Sequence, residues 1–151
     1  MIAVDIAADK FDACRRAGAD ECVNPVDSNA SEALVDLSGG GIDVAIDFVS
    51  SRETLETAVQ CLGRGGRMVT LGGSGENFSA HAHTMLEKEL VLMGSRYATR
   101  QEVMESLELC ARGEVWPLVT ETADMAGAEA LHERLERGLV TGRAATLIST
   151  P

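Results

Sequence analysis

The chain has 151 residues, 45% hydrophobic and 25% charged, which is the composition of a folded globular protein and not of a disordered one. It carries 24 acidic residues against 13 lysines and arginines, and the resulting net charge of −11 argues against nucleic acid or an anionic membrane surface as a partner. No apolar run approaches the about 20 residues that a membrane-spanning helix requires, so we expect no membrane segment.

Strand and helix patterns alternate along the whole chain, which predicts one α/β domain with a parallel sheet over residues 1–151. The predicted strands lie at residues 1–6, 21–24, 42–49, 67–71, 90–93 and 143–148. The predicted helices lie at residues 8–17, 29–37, 50–62, 85–88, 99–112 and 126–137. Three capping-box patterns, at residues 29–32, 50–53 and 99–102, predict where helices begin. Residues 116–119 are interpreted as an extended connector, because Pro117 has no N–H to donate to a sheet.

The first predicted strand ends in an acid, Asp5, and dinucleotide-binding folds use an acid at the tip of a strand to hold the adenosine ribose. That acid normally lies about 20 residues beyond a glycine-rich phosphate loop. We therefore predict an incomplete Rossmann-type doubly wound sheet, whose first strand, glycine-rich loop and first helix are missing. In the strand order of this fold the missing strand is central. Its two neighbours are expected to pair directly, to borrow a strand from another chain, or to leave the chain poorly stable.

The cysteines and histidines show no convincing metal pattern. Cys14, Cys22, Cys61 and Cys110 lack metal-binding spacing, and all except Cys22 fall within apolar helical patterns, which predicts reduced core thiols. Acidic residues interrupt the first 25 positions, which therefore do not resemble a signal peptide, and we expect a cytoplasmic location. His81 and His83 lie in a loop without a third ligand, so no metal site is predicted.

The segments AVDI, GAD, GGGIDVAIDFV, GGRMVTLGG, LMGS, ARGEVWPLVTE and GRAATLI, in this order, resemble the coenzyme-binding half of zinc-containing medium-chain alcohol dehydrogenases. The resemblance covers essentially the whole chain. It implies hydride transfer between an alcohol or carbonyl substrate and NAD, and association into a dimer or tetramer. It also implies that zinc is held in a separate N-terminal, GroES-like catalytic domain. We expect that domain to be absent here, so this chain contains no catalytic residue and is expected to be inactive alone.

The resemblance assigns three charged residues to the adenosine and pyrophosphate side of the coenzyme. Asp5 is similar to the carboxylate that binds both ribose hydroxyls, and Lys10 to a lysine lying against the same ribose. Arg143 resembles an arginine that pairs with the pyrophosphate, whose oxygens suit a guanidinium fork. Without the resemblance, each of these side chains would be interpreted as an ordinary solvated charge.

The resemblance assigns eight further residues to the nicotinamide side of the coenzyme, at the ends of three predicted strands or just after them. It implies that the first two in chain order contact the coenzyme, that the next three bring backbone to its carboxamide, and that the last three follow a strand that also reaches the carboxamide. By position alone the first pair could be core, and the arginine among the last three could recognise a substrate or face solvent. These residues are Phe48, Val49, Leu71, Gly72, Gly73, Ser95, Arg96 and Tyr97.

The cofactor preference follows from charge. Asp5 would lie close to the 2′-phosphate of NADP, and like charges at that range repel. No arginine stands at positions 6 to 8 to neutralise such a phosphate, so NAD is preferred. Two alternatives remain open, a non-catalytic nucleotide-binding or oligomerisation module and a different Rossmann enzyme such as a methyltransferase. The substrate's identity does not follow from these residues.

Overall fold

The computed structural model describes residues 1–27 and 29–148, which form two compact units. The first unit is Met1–Tyr97 and the second begins at Ala98. Every strand pair in the described residues is parallel and strands alternate with helices, so the predicted α/β parallel class is confirmed.

The first unit contains most of the regular structure. Its strands are β1 (Ile2–Val4), β2 (Glu21–Val23), β3 (Ile42–Asp47), β4 (Leu62–Thr70) and β5 (Val91–Gly94). Its helices are α1 (Phe11–Arg16), preceded by a 3-10 turn at Ala8–Lys10, then α2 (Ala30–Ser38), α3 (Arg52–Cys61) and α4 (Ala82–Lys88). The main difference from prediction is β4, which begins at Leu62, five residues earlier than predicted. Its register against β3 shifts between the Ile42–Leu62 and Val44–Arg67 pairs. Residues 64–66, predicted as a glycine-rich turn, therefore form an irregular part of β4.

The strands of the first unit form two separate sheets. β1 pairs with β2, while β3, β4 and β5 form a three-stranded sheet in that order. Within the described residues β1 does not pair with β3, so the direct pairing that we considered for these two strands does not occur. β1 and β3 each keep one edge unpaired within the described residues, as the incomplete fold predicted.

The core of the first unit forms around α3 and the start of β4. Leu55, Ala58 and Val59 recur at helical spacing on α3 and pack against Leu62 and Met68 of β4. Leu62 and Met68 are 0% and 1% exposed. This helix therefore covers one face of the three-stranded sheet.

A second cluster links the two sheets. Ala30 and Leu34 of α2 pack with Val23 of β2, and both Ile2 of β1 and Ile42 of β3 lie against the same cluster. The opposite face of the three-stranded sheet is less covered. Its alternate residues are exposed apolar side chains, namely Val44, Ile46, Val91 and Met93.

Two of the three predicted caps differ in detail. Thr99 and Glu102 form the predicted capping box. Ser51, not Ser50, caps α3 by accepting from the Thr54 amide. Asn29 precedes α2 but its side chain does not cap the helix, since it accepts a hydrogen bond from the Ser31 hydroxyl.

The second unit contains α5 (Arg100–Ala111), β6 (Val119–Asp124), α6 (Ala128–Glu136) and β7 (Arg143–Leu147). β6 and β7 pair in parallel, with a register shift near Val119. The sequence did not predict β6, because the segment VTETAD has no apolar run, and Val119 was wrongly placed in a connector. The amphipathic pattern of α5 is present, yet its apolar Val103, Met104 and Leu107 are exposed.

The four cysteines are free thiols, but only Cys61 is buried, so the prediction of core positions for Cys14 and Cys110 is wrong. Both are half-buried. None of the helices in residues 1–27 and 29–148 has the length and apolarity to cross a membrane.

Candidate functional site

The candidate site lies where the three parallel strands of the larger sheet end. Because β3, β4 and β5 run in the same direction, the segments that follow them leave the sheet at one edge. Two backbone hydrogen bonds extend the sheet beyond the strands. The Leu71 amide donates to the Asp47 carbonyl at 2.8 Å, and the Ser95 amide donates to the Thr70 carbonyl at 2.9 Å. The structure therefore brings together all of the residues predicted on the nicotinamide side.

Phe48 and Val49 project at this edge immediately after β3. Phe48 is 72% exposed and Val49 is 61% exposed, although both are apolar. The sequence predicted that they would continue the strand, but the strand ends at Asp47. Their exposure leaves an apolar surface of the kind that contacts flat cofactor rings.

The turn after β3 is held by a buried carboxylate. Asp47 is 8% exposed, and its Oδ1 accepts hydrogen bonds from the backbone amides of Val49 at 2.8 Å and Ser50 at 3.0 Å. Its Oδ2 accepts from the Thr54 hydroxyl at 2.7 Å. Burial of a carboxylate is tolerated when donors satisfy its oxygens, as they do here.

The segment after β4 lies directly against this turn. A Cβ added at Gly72 would lie 2.5 Å from the Val49 carbonyl oxygen and 2.7 Å from Ser50 Oγ, so only glycine fits there without displacement. Gly73, by contrast, has open space where a Cβ would lie, and Leu71 is exposed. The backbone of residues 71–73 is therefore accessible beside Phe48 and Val49.

The segment after β5 carries an exposed cation. The Arg96 guanidinium lies over the Tyr97 ring, 4.8 Å from its centroid, and its Nη2 donates to the Tyr97 hydroxyl at 3.5 Å. Tyr97 adopts a left-handed φ of 58°, which is unusual for a bulky residue. Ser95, Arg96 and Tyr97 are all exposed to solvent.

The predicted ribose-binding residues follow β1. Asp5 is half-buried, and its Oδ1 accepts from the Ala7 amide at 2.8 Å, which fixes the direction of the carboxylate. Its Oδ2 makes no hydrogen bond to another described residue. Lys10 ends the 3-10 turn, is half-buried, and forms no ion pair within the described part of the chain. Both side chains thus keep groups that a ligand could use.

Arg143 lies in the second unit, as the first residue of β7. Its amide donates to the Leu118 carbonyl at 2.8 Å and its side chain is exposed. The structure therefore places this predicted pyrophosphate ligand in a different unit from the other candidates.

The two neighbouring histidines, His81 and His83, lie at the start of α4. His81 precedes the helix, and His83 Nε2 lies 3.3 Å from Glu87 Oε1. Across residues 1–27 and 29–148, no group of three or more His, Cys, Asp or Glu side chains is arranged to hold a metal.

The marked pKa shifts fall outside the candidate site. Burial raises the pKa of the Cys61 thiol. The side-chain hydrogen bond from Arg134 lowers the pKa of Glu121, and hydrogen bonds from Thr99 lower the pKa of Glu102. These groups support local structure of α3, β6 and α5.

Sequence reasoning missed the polar network behind Phe48 and Val49. The apolar pattern of residues 42–49 places Asp47 in a strand, where the structure also has it, but gives no sign of the hydrogen bond from Thr54. An aspartate that ends a buried strand and precedes a serine-rich turn is a signal for such bonds, because aspartate side chains accept from amides two residues on. The network continues beyond the turn, because the Ser50 hydroxyl forms a hydrogen bond with that of Thr70 and the Ser50 carbonyl accepts one from the Ser74 hydroxyl.

The chain is similar to known proteins over most of its length. A family described as zinc-binding dehydrogenase matches residues 1–112. An alcohol dehydrogenase of Geobacillus stearothermophilus is 31% identical over 143 residues, which cover 95% of this chain and 42% of that protein. An NAD-dependent alcohol dehydrogenase of Sulfurisphaera tokodaii is 29% identical over 144 residues, with the same coverage of each chain.

The fold has a solved counterpart as well. The crystal structure of the alcohol dehydrogenase of Aeropyrum pernix superposes with a TM-score of 0.85 and 31% sequence identity, covering 95% of this chain and 41% of that one. This chain therefore spans about two-fifths of the length of these relatives. The match over residues 1–112 and the similar structure agree with the resemblance seen in the sequence. The chain belongs to the zinc-binding dehydrogenase family.

Proposed function

We propose that this chain is the coenzyme-binding portion of an NAD-dependent, zinc-dependent alcohol dehydrogenase. The reaction is hydride transfer between an alcohol or carbonyl substrate and NAD. The observation that carries the proposal is the edge of the three-stranded sheet, where exposed apolar Phe48 and Val49 lie beside the accessible backbone of Leu71–Gly73. A nicotinamide needs one apolar contact for its ring and backbone hydrogen-bonding groups for its carboxamide, and this edge offers both.

The adenosine side supports the same assignment. Asp5 holds its carboxylate in one direction through the Ala7 amide, and Oδ2 is left to accept hydrogen bonds from ribose hydroxyls. Lys10 supplies a cation on the following turn. Arg143 offers a guanidinium for the pyrophosphate, a role that depends on the second unit.

Asp5 also sets the preference for NAD. A 2′-phosphate would bring negative charge to the carboxylate, and residues 6 to 8 offer no cation to compensate. The relatives from Sulfurisphaera tokodaii and Saccharolobus solfataricus, named as NAD-dependent alcohol dehydrogenases, are consistent with this choice.

Zinc does not fit the residues of this chain. The described residues contain no ligand group for it, so we assign it to a separate N-terminal, GroES-like domain. When bound there it supplies a Lewis acid that polarises the substrate oxygen. The task of residues 1–151 is to bind and orient the coenzyme. The chain alone is therefore expected to show no alcohol oxidation.

The proposed state is a homo-oligomer, a dimer or tetramer, in the cytoplasm. The outer edge of β5 is unpaired within the described residues, and an open edge of this kind can pair with another copy. Light scattering after size-exclusion chromatography would test this, since a monomer at all concentrations would refute it. Cell fractionation would test the location.

The central test is a fluorescence titration of the purified chain with NADH and NADPH. We expect saturable NADH binding, with NADPH at least about tenfold weaker, because charge repulsion at Asp5 opposes the extra phosphate. Asp5→Asn should weaken NADH about tenfold, since it loses a charge-assisted hydrogen bond. Asp9→Asn is a matched control, an exposed aspartate of the following 3-10 turn, and should bind like the wild type. Absence of saturable binding in a folded chain would refute the proposal.

A further inference from the structure

The two faces of the three-stranded sheet differ in what covers them. Met68 is buried against α3, and its neighbours in the register, Ala45 and Leu92, pack against the same core cluster. Helix α4 lies on this side as well, because Lys88 Nζ donates to the carbonyl of Leu62 at 2.7 Å, where α3 ends and β4 begins. Both helices that connect the strands of this sheet therefore cover one face.

The other face of the sheet is apolar and exposed around a single cation. The strand register places its side chains in two rows across the sheet, Val44–Arg67–Val91 and Ile46–Val69–Met93. The four apolar residues on the outer strands are between 42% and 58% exposed, and Val69 is half-buried. We call these six residues the open face. Apart from Arg67 it consists of apolar side chains, whose removal from water is favourable.

The connections between the strands do not supply a cover for the open face. Crossovers between parallel strands are right-handed, so helices that follow strands laid down in one direction lie on one face. β3, β4 and β5 are laid down in this way, and α2, which precedes β3, packs against Cys61 at the end of α3. The first helix that the sequence predicts to be missing would lead into β1 and so belong to the other sheet. Since parallel sheets are covered on both faces, the cover comes from outside these connections.

Arg67 defines the chemistry of that cover. It lies on the central strand β4, is exposed, and forms no hydrogen bond or ion pair within residues 1–27 and 29–148. A wholly apolar cover would remove its guanidinium from water without a partner, which is costly. A carboxylate in the cover would accept two parallel hydrogen bonds from it. A second copy docked face to face would instead bring two arginines together across a central two-fold axis, and like charges oppose that pairing.

The size of the open face fits a single helix. Neighbouring strands lie about 4.8 Å apart, so three strands span about 10 Å, which is the diameter of an α-helix with its side chains. Three turns of helix are about 16 Å long and cover both rows. Such a helix needs apolar residues at i, i+3, i+4 and i+7, with an acid at the border of that stripe to reach Arg67.

We propose that the open face is the docking site of an amphipathic α-helix from the N-terminal part of the enzyme, with a glutamate or aspartate against Arg67. The proposal rests on the proposed function for the source of the helix. The length of the relatives supports that source, because the region matched to this chain is 42% of the Geobacillus stearothermophilus enzyme. The remainder of such a protein is long enough to supply the helix.

The experiment uses a synthetic fluorescent peptide of about 14 residues, with a leucine stripe at this spacing and one glutamate at its border. Titration with the full chain, followed by fluorescence anisotropy, should show saturable binding. A peptide with lysine in place of the glutamate should bind about tenfold more weakly, because it meets Arg67 with like charge. Arg67→Glu should invert this preference, and the inversion isolates the pair because each change compensates the other. Arg16→Glu, at another exposed arginine, is the control and should keep the wild-type preference.

Two further variants locate the peptide on the chain. Ile46→Asn removes an apolar contact from the open face and should weaken the glutamate peptide at least about fivefold. Leu86→Asn changes an exposed residue of α4, on the covered side of the sheet, and should bind like the wild type. Unchanged affinity in Ile46→Asn, or an unchanged peptide preference in Arg67→Glu, would overturn the proposal. So would the absence of saturable binding to a folded chain.

Co-expression tests the source of the helix. The part of the Geobacillus stearothermophilus enzyme outside the matched region should co-purify with the tagged wild-type chain and not with Ile46→Asn. Failure to co-purify with the wild type would overturn the assigned source. A dimer that Ile46→Asn dissociates in light scattering would assign the open face to a second copy, against the proposal. NADH titration separates the two proposals, since a chain that binds NADH but no peptide refutes only this inference, and the reverse refutes only the proposed function.

Discussion

The two units of the chain are stabilised in different ways. In the first, α3 buries Leu55 and Val59 against Leu62 and Met68 of β4, so its structure depends on tertiary packing. In the second, Val140 is the one buried apolar residue among those described, and Val103, Met104 and Leu107 of α5 are exposed. Polar contacts are more prominent there, such as the Thr99–Glu102 capping box and the pair of Arg134 and Glu121. Most of the residues proposed to bind the coenzyme therefore lie in the unit that contains the larger buried core.

The largest expected effect comes from the core of the first unit. Leu62→Ala should lower the free energy of unfolding by about 2–5 kcal/mol, because it removes a fully buried side chain and leaves a cavity. Leu107→Ala on α5 is the matched control, and its effect should stay below about 1 kcal/mol since that side chain is 58% exposed. Urea unfolding followed by circular dichroism measures both. Similar losses in the two variants would remove the distinction between the units.

A smaller effect is expected at the left-handed turn. Ser50→Ala and Ser50→Gly both lose the hydroxyl that bonds to Thr70, but glycine also relieves the positive φ. Ser50→Gly should therefore be more stable than Ser50→Ala by about 1–2 kcal/mol in the same unfolding experiment. If alanine is tolerated as well as glycine, the turn does not hold Ser50 in the conformation described.

Loss of the α5 cap should destabilise the second unit locally. Thr99→Ala removes the side chain that accepts from the Glu102 amide and should cost about 1 kcal/mol. Thr99→Ser keeps the hydroxyl and is the control. Amide exchange should accelerate in the first turn of α5 and remain unchanged in β4, and acceleration in both would mean that the cap supports more than its own helix.

The smallest expected effect is the pH dependence of the β6–α6 contact. Arg134 lowers the pKa of Glu121 below its usual value of 4.5, so the folded state binds the proton less readily than the unfolded state. The stabilisation is then present above pH 4.5 and disappears as the pH falls through the lowered pKa. Exchange of β6 amides at decreasing pH should show this acid-side loss, weakened by salt. Glu121→Gln should abolish the dependence, and an unchanged profile in that variant would assign it to another group.

The sequence predicted the strands of the larger sheet because their apolar runs are long and bounded by glycine. It did not predict β6, since the alternating polar residues of Val119–Asp124 carry little hydrophobic signal and the strand is defined by pairing with β7. Local signals were reliable for α5, whose cap depends only on its own residues. They were less reliable for α2, where Asn29 accepts from Ser31 instead of capping.

In the candidate site, too, local sequence patterns indicated some features and missed those that depend on distant residues. The family resemblance indicated Phe48 and Val49, but it did not indicate what holds them. The pattern at residues 50–53 predicted a cap at Ser50. In the structure the Ser50 amide donates to Asp47, Ser50 has a left-handed φ, and Ser51 caps the helix. That arrangement depends on Thr70 and Ser74, which lie more than fifteen residues along the chain, so local patterns could not reveal it.

The most direct test of the proposed coenzyme site is a map of amide chemical shifts by NMR as NADH is added to the isotope-labelled chain. We predict saturable changes at residues 5–10, 48–50, 71–73 and 95–97, with the shifts at 48–50 lost when ADP-ribose replaces NADH. Changes confined to another part of the surface, such as the cleft lined by Ser31, Val35 and Gln60, would contradict the account. The same would follow if a folded chain showed no saturable change at all.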